Sequence, residues 1–538
     1  MKTKALAITL ALCMLLGLLA GCGDSGEGAG NYVGAENVTN DYDLITVPGS
    51  DYQYKKYKDM TEEKITLTYF HFDQDETVKL LADRFMKIYP NIEVKVQFED
   101  VGTNGTTLGT LVTNGQAPDV IMITDEAYAL SNMYLSDISA YFDSDEETKL
   151  LPETIRGTGV GTGLGTFHLE GGQRYAVPVK FFPCTFFVDR DVLETLNIKV
   201  PAQNWTWGEM IQLIKDATQP ASLDGMAYYG LGTYNRLDSY YGIAAGQKYI
   251  GEFGFNGKTF DLSDWAIGEQ EFSDLKLNGY VAPDRDTRAN QLWTGDGSKW
   301  FGETGHVAVF GEAFWTFQNL WNTEYYLENF DMDIIPYVVP AVSEADAKAD
   351  HHSIATIDWG GITPSCKYPR EAYELLKFMS FGVDGWHTRC EIYADENNVN
   401  GSGMPLKAAS MPVPITTDQG VWDKYINDVY CVGMDEEHTQ HWKDFFASCM
   451  QPISFGWTSI AGYKTFCDDY FNAIGDGKGI HTLVDTGVAM AADYVDEATR
   501  KANYYHADAM LKYFGPGGYN VLSESEQTYY QQLKDSNT

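Results

Sequence analysis

Positive charge is scarce in this sequence. Its 538 residues hold 38 Lys and Arg against 76 Asp and Glu, a formal charge of −38. No basic stripe interrupts that surplus, which excludes a nucleic-acid-binding face. Cysteine is also scarce: none of the eight forms a C-x-x-C pair or a zinc-type cluster. The chain contains no Gly-x-Ser-x-Gly elbow and no His-Glu-x-x-His helix. The glycine run from Gly157 to Gly165 lacks the Lys-Ser/Thr of a phosphate-binding loop and the spacing of a dinucleotide loop, so it reads as a flexible loop. The acidic run from Asp143 to Glu147 lacks the residue order of a calcium loop. His438 and His441 read as solvated imidazoles on a helix. Carboxylates are plentiful, yet none is singled out as the separated pair a glycoside hydrolase needs. No repeat of solenoid period is present. The expectation is a non-catalytic chain with neither cofactor nor metal.

The first residues point to export. Met1 to Lys4 carries two lysines, Ala5 to Ala20 is almost wholly apolar, and polar residues resume at Gly23. That is the order of a secretion signal, and the apolar run falls short of the ~20 residues that span a bilayer comfortably. Leu19-Ala20-Gly21-Cys22 resembles the lipobox of bacterial lipoproteins. The resemblance implies cleavage before Cys22, a diacylated Cys22, and residence at the outer face of the cell membrane, since two acyl chains suffice for stable anchoring. Removing residues 1–21 deletes Lys2, Lys4 and no acid, which takes the charge from −38 to −40. Six cysteines follow Cys22; export permits disulfides, spacing does not assign them, and buried thiols are equally compatible. Residues 22–63 read as a flexible tether. The roughly 475 residues beyond are too many for one ordinary core and suit two lobes.

Periodicity at the start of that body is that of an α/β unit. Ile65 to Phe70 alternates as a strand, and His71 to Glu76 reads as a turn. Val78, Leu81, Ala82, Phe85 and Tyr89 recur at helical spacing, and Pro90 ends the helix. Ile92, Val94, Val96 and Phe98 alternate again. A helix is expected from Leu108 to Asn114, and Val120 to Ile123 is apolar enough for a strand covered on both faces. Such alternation predicts a parallel sheet with ligand chemistry beyond the carboxyl ends of its strands. That edge would collect His71, Phe72 and Asp73 after the first strand and Thr124, Asp125 and Glu126 after the third.

Five motifs in order resemble the family 1 extracellular solute-binding proteins, the maltose-binding-like components of bacterial ABC importers. They are Gly115-Gln116-Ala117-Pro118-Asp119-Val120-Ile121; Tyr175-Ala176-Val177-Pro178 with Phe187-Val188-Asp189 beyond it; Trp205-Thr206-Trp207-Gly208-Glu209; Gly305 through Trp315; and Ile362 to Gly385. Phe187-Val188-Asp189 departs from the family's usual Tyr-Tyr-Asn. Thr206 and Glu209 also have capping-box spacing, a local cause for a helix start. Beyond Gly385 little except Gly403-Met404-Pro405 matches. The resemblance implies two α/β lobes, each a sheet flanked by helices, joined by crossing strands, with the ligand in the cleft between. The first crossing would lie near Tyr175–Pro178 and a return near Asp333–Pro340. The first lobe would be 64–174 plus 339–385. The second would be 175–338 plus 386–538.

The resemblance implies a receptor that captures a sugar or oligosaccharide by hinge closure and hands it to an ABC permease. Sugars present C–H faces to aromatic rings and hydroxyls to polar groups, and aromatics make up 14% of the chain. Trp315 aligns with a family tryptophan that stacks on sugar. Phe182 follows the first crossing, Trp359 precedes a strand near the cleft, and Trp457 is a further aromatic from the unmatched tail. His71, Asp73, Asp125 and Glu126 are candidate hydrogen-bond partners for hydroxyls. A peptide or other polar solute on the same fold is the alternative, because fold does not fix ligand.

Overall fold

The computed structural model describes residues 37–72, 76–99, 104–123, 129, 132–156, 173–219, 227–232, 237–246, 254–256, 258–282, 306–313, 333–343, 354–401, 403, 405–408, 411–449, 454–455 and 492–538. The chain opens with a hairpin of β1 (Tyr42–Thr46) and β2 (Gln53–Tyr57), paired antiparallel. This corrects the expectation of a tether through residue 63. Tyr54 and Tyr57 are buried, as are Val38, Val47 and Met60, so the stretch has apolar groups worth fixing.

A parallel unit follows. β3 (Ile65–Phe72) leads to α1 (Glu76–Ile88), β4 (Ile92–Glu99), α2 (Asn104–Thr113) and β5 (Val120–Ile123). Helix α1 buries Val78, Leu81, Ala82, Phe85 and Ile88, one stripe at helical spacing. Gly115 has φ +69, the left-handed conformation that ends a helix cheaply only at glycine. β3 pairs parallel with both β4 and β5. His71 and Phe72 prove to be the last two residues of β3 and not part of a turn, because pairing with β4 continues through them, opposite Phe98 and Glu99.

The next strand, β6 (Val177–Asp189), has 13 residues, all buried. At ~3.3 Å per residue it is roughly 40 Å long, enough to serve two bodies. After it come α3 (Arg190–Thr195), α4 (Trp207–Asp216), β7 (Tyr229–Leu231), α5 (Leu237–Ala244), α6 (Ser263–Leu277), β8 (Val307–Ala313) and β9 (Ile334–Tyr337). Helix α4 starts at the anticipated capping box, with Thr206 and Glu209 bonding each other's backbone. Then β10 (Ile354–Ile362) returns, followed by α7 (Pro369–Met379), α8 (Val383–Ala394), α9 (Gln419–Lys424) running into a π-turn at Tyr425–Tyr430, α10 (Glu436–Cys449), β11 (Ser454–Phe455), α11 (Ala492–Phe514) and α12 (Glu524–Ser536).

The sheet order is β4-β3-β5-β10-β6-β8-β7, with β9 also on β6 and β11 on β10. The first half of β6 pairs with β10 from Val177 to Cys184. Its second half pairs with β8 and β9 from Cys184 to Asp189. Packing also divides along β6, although Phe187 in its second half still packs in the larger core. Val177, Val179, Phe181 and Phe182 belong to the larger core, whereas Cys184, Phe186 and Val188 belong to a second core with Trp205, Trp207, Met210, Tyr240 and Val309. One strand therefore threads two hydrophobic bodies.

Two expected boundaries move. Val339 packs in the second core, and the Val342 amide donates to the Ala244 carbonyl, so the return to the first lobe comes after residue 343. The segment after Gly385 does not simply complete the second lobe. Trp386, Cys390, Tyr393, Val413 and Tyr425 lie in the larger core, and the Val413 amide donates to the Phe181 carbonyl. α10 turns toward the second lobe, where Glu437 pairs with Arg190 at 2.6 Å, and α11 reaches it through Asn503 and Thr499, which accept from the Phe260 and Leu262 amides at 2.8 and 3.2 Å. Cys184, Cys366, Cys390 and Cys431 are buried free thiols.

Candidate functional site

Because β3 and β5 are parallel, their carboxyl ends share one edge of the first lobe. β10 lies antiparallel to β5 and sets Trp359 opposite Ile123, the last residue of β5. On its other side Trp359 opposes Pro178 of β6. Carrying the register Phe70↔Ile121 forward by two residues places Phe72 in the same row. Phe72, Ile123, Trp359 and Pro178 thus mark where the first-lobe strands end. Past that row only β6 and β10 continue, with Phe182 opposite Thr356, toward the second body. Loops leaving β3 and β5 must start at this edge, which is where an α/β sheet holds its ligand.

The backbone there is tightly fitted. A side chain added at Gly360 would come within 2.5 Å of a Val179 methyl, and one at Gly361 within 2.6 Å of the Tyr175 carbonyl. These two glycines let β10 lie against β6. The register shifts between Asp358 and Trp359, an irregularity of the kind that re-aims side chains beside functional sites. Just past the shift Asp358 sits directly opposite Lys180, which is only 4% exposed.

Among the candidate residues, His71, Trp359 and Phe182 are in the described structure: His71 and Trp359 lie at this edge, and Phe182 lies beyond it along β6. All three are buried, at 0%, 2% and 5% exposure. His71 stands among rings, with Tyr69 and Phe72 at 5.8 Å and Phe98 at 6.0 Å between centroids. Trp359 lies within β10 and does not precede it. Asp73, Thr124, Asp125, Glu126, Trp315, Trp457 and Cys22 lie outside the described residues. The Lys180–Asp358 pair was missed from sequence. Its signal was present: Lys180 is the one basic residue within the 13-residue apolar run of β6.

His438 and His441, expected in solvent, are half-buried and bonded. His438 reaches Asp333 at 3.0 Å and Asp435 at 2.8 Å, and His441 reaches Gln203 at 3.1 Å. They fix α10 to the second lobe. Beside them Asp189, the N-cap of α3, is pushed up to about 7 by burial. Among the described residues no group of three or more His, Cys, Asp or Glu could hold a metal ion, and no helix is long and apolar enough to cross a membrane.

Comparison with known proteins gives this architecture relatives. The family model described as bacterial extracellular solute-binding protein matches residues 72–380, more than half of the chain. A multiple sugar-binding protein of Streptococcus mutans is 27% identical over 200 residues, 35% of this chain and 44% of that protein, so the match spans less than half of the relative. Among solved structures, an ABC substrate-binding protein of Listeria monocytogenes in complex with cycloalternan has a TM-score of 0.57 at 16% identity, covering 82% of this chain and 98% of its own. A sugar transporter protein of Rhizobium etli in an open conformation has a TM-score of 0.58 at 14% identity, covering 81% and 98%. A sugar-binding protein of Xanthomonas citri has a TM-score of 0.56 at 12% identity, covering 82% and 98%. At such identities these structures show the fold alone.

Proposed function

The chain belongs to the bacterial extracellular solute-binding proteins, and from that premise we propose that it is a non-catalytic receptor that captures a sugar or oligosaccharide between its lobes and delivers it to an ABC permease. The observation that carries this reading is the 200-residue likeness to a multiple sugar-binding protein. The cycloalternan complex on the same fold agrees with it. Trp315, Trp359, Phe182 and Trp457 serve as aromatic platforms. His71, Asp73, Asp125 and Glu126 pair with hydroxyls, and a buried acceptor left unpaired rejects the wrong sugar at a cost of about 1–3 kcal/mol. A ligand drives closure only by binding the closed state better than the open one. Cys22 carries the lipid that holds the receptor at the outer face of the membrane.

A thermal-shift screen of the chain from residue 23 onward tests the reading, with mono- and oligosaccharides, short peptides, amino acids and polyamines as probes. A ligand at 100 times its Kd stabilises the fold by about 2.7 kcal/mol. A sugar shift that is lost in Trp315→Ala supports the receptor and its platform. Shifts with peptides alone retain a binding protein and reject the sugar. Hydrolysis of a glycoside rejects the receptor itself.

A further inference from the structure

The hairpin β1–β2 precedes the family-matched residues, which begin at 72, yet it is held by charged contacts to several first-lobe elements. Four grips occur along residues 49–61. At the turn, Arg84 of α1 pairs with Glu391 of α8 at 2.7 Å, donates to the Tyr54 hydroxyl, and reaches the Gly49 carbonyl at 3.2 Å. The Ser50 hydroxyl donates to the same Glu391 at 2.6 Å. Next, Lys55 pairs with Glu147 at 2.6 Å, while its amide and the Tyr52 hydroxyl donate to Asp384 at 2.7 and 2.9 Å. Asp59 then takes Arg370 of α7 at 2.7 and 3.0 Å. Finally the Thr61 amide donates to Glu371 at 2.7 Å. Where the described chain begins, the Val38 amide and the Asn40 side chain bind Ser144 at 2.9 and 2.7 Å. Among the described residues these partners all lie on the first lobe.

We propose that the docked hairpin is a clamp that sets the length of the membrane tether and fixes its exit point on the first lobe beside Ser144. The proposal rests on the lipid-anchor reading of Cys22. With the hairpin docked, the tether read from sequence shortens to residues 22–36, and a flexible chain of that length has a root-mean-square span of about 20 Å. With the hairpin released, the free chain extends to residue 63 and the span rises to about 35 Å. Effective concentration at a partner in the same membrane falls as roughly the −3/2 power of length, so release would dilute the receptor about fivefold at its permease. Simple packing would be served by the buried tyrosines alone. The ionic grips on α1, α7, α8 and residues 145–147 hold the strand against a pull along the chain.

The test uses the mature chain from Cys22, coupled through that thiol to a maleimide lipid in a nanodisc, so that failure of natural lipidation does not enter. Natural lipidation is read separately, by mass spectrometry of the membrane fraction. A donor dye at position 95, exposed on β4, reports its distance from acceptor lipids. Replacing residues 42–57 with Gly/Ser of equal length should raise the mean donor–bilayer distance by about 10–15 Å. An unchanged distance overturns the proposal. Should that replacement fail to fold, hydrogen exchange on the unaltered chain decides. Protection of the β1–β2 amides equal to that of β3 supports a clamp, and exchange more than a hundredfold faster overturns it.

Discussion

The two lobes are stabilised by different means. The second lobe's core is mostly apolar, built from Trp205, Trp207, Met210, Ile214, Tyr240, Val309 and their neighbours, and its buried carboxyls, Asp189 and Glu269, stand apart from one another in the chain. The first lobe buries charge. Lys377 is 3% exposed and pairs with Asp145 and Glu374 at 3.0 Å each, with its ammonium 4.2 Å from the centroid of the Tyr57 ring. Burial alone would raise the Glu147 carboxyl, but Lys377, Lys55 and the Val383 amide pull it down to about 2. Apolar packing is forgiving of register and is served by any residue of suitable shape. A buried charge cluster tolerates few arrangements, because each member left alone costs several kcal/mol. The charge cluster lies where the hairpin meets α7, α8 and residues 145–147. It specifies one docking position where apolar contact alone would leave several.

The sharpest break of this contrast is Lys377→Met. It leaves Asp145, Glu374 and Glu147 buried together without their shared cation, and should cost about 3–5 kcal/mol in urea denaturation. Phe186→Ala in the second core creates a cavity against Trp205, Trp207 and Tyr240 and should cost a comparable 3–5 kcal/mol. The pair is told apart by the repair. Restoring volume with Phe186→Leu should regain much of the loss, whereas Lys377→Arg, which restores charge in another shape, should regain little. If both repairs work equally well, the contrast between the cores is unsound.

A smaller effect makes the docking of the hairpin depend on pH. Burial and the neighbouring Glu147 charge raise the Asp384 carboxyl from 3.8 to about 7. Lys55 and Tyr52 also face it and favour its ionised form. A carboxyl raised in the folded state binds its proton more tightly there than in the unfolded chain. Its penalty is therefore complete above pH 7, declines as pH falls, and is gone below about 4. Glu147 runs the other way: its contribution is present above pH 4.5 and is lost as pH falls toward 2. Hairpin docking should be firmest near pH 4.5–5 and weaker at pH 8. Hydrogen exchange of the β1–β2 amides at the two pH values measures it, and Asp384→Asn should flatten the profile. Equal protection at both values would remove Asp384 from the account.

Much of the fold could be read in advance because its signals are local. The stripe from Val78 to Ile88, the apolar Val120–Ile123 and the Thr206–Glu209 box each act within a few residues. The hairpin could not, because its lysines, tyrosines and aspartates read as solvated until Arg84, Glu147 and Arg370 are brought to them from 30 to more than 300 residues away. The candidate site was legible as an edge, since β3 and β5 announce their ends. Its polar pair was not, because Lys180 and Asp358 meet only through the β6–β10 register. The long tail was hardest: α8 and the Tyr425–Tyr430 turn join the first core by contacts with no counterpart in the five motifs.

The smallest expected effect lies in the second lobe, where the start of α4 has a purely local cause. The Thr206 hydroxyl accepts from the Glu209 amide at 3.2 Å, and the Glu209 carboxylate accepts from the Thr206 amide at 2.7 Å. Thr206→Ala should cost about 1 kcal/mol and Thr206→Ser far less. The Trp207 amide meanwhile donates to Ala341 at 2.7 Å, in the segment that leads back toward the first lobe. A frayed cap would therefore loosen the segment that the proposed closure would move. If Thr206→Ala weakens sugar binding by no more than its loss of stability predicts, the cap only holds the helix. If binding falls further while Thr206→Ser restores it, the cap also positions the return crossing, and the apolar lobe contains a specific polar contact after all.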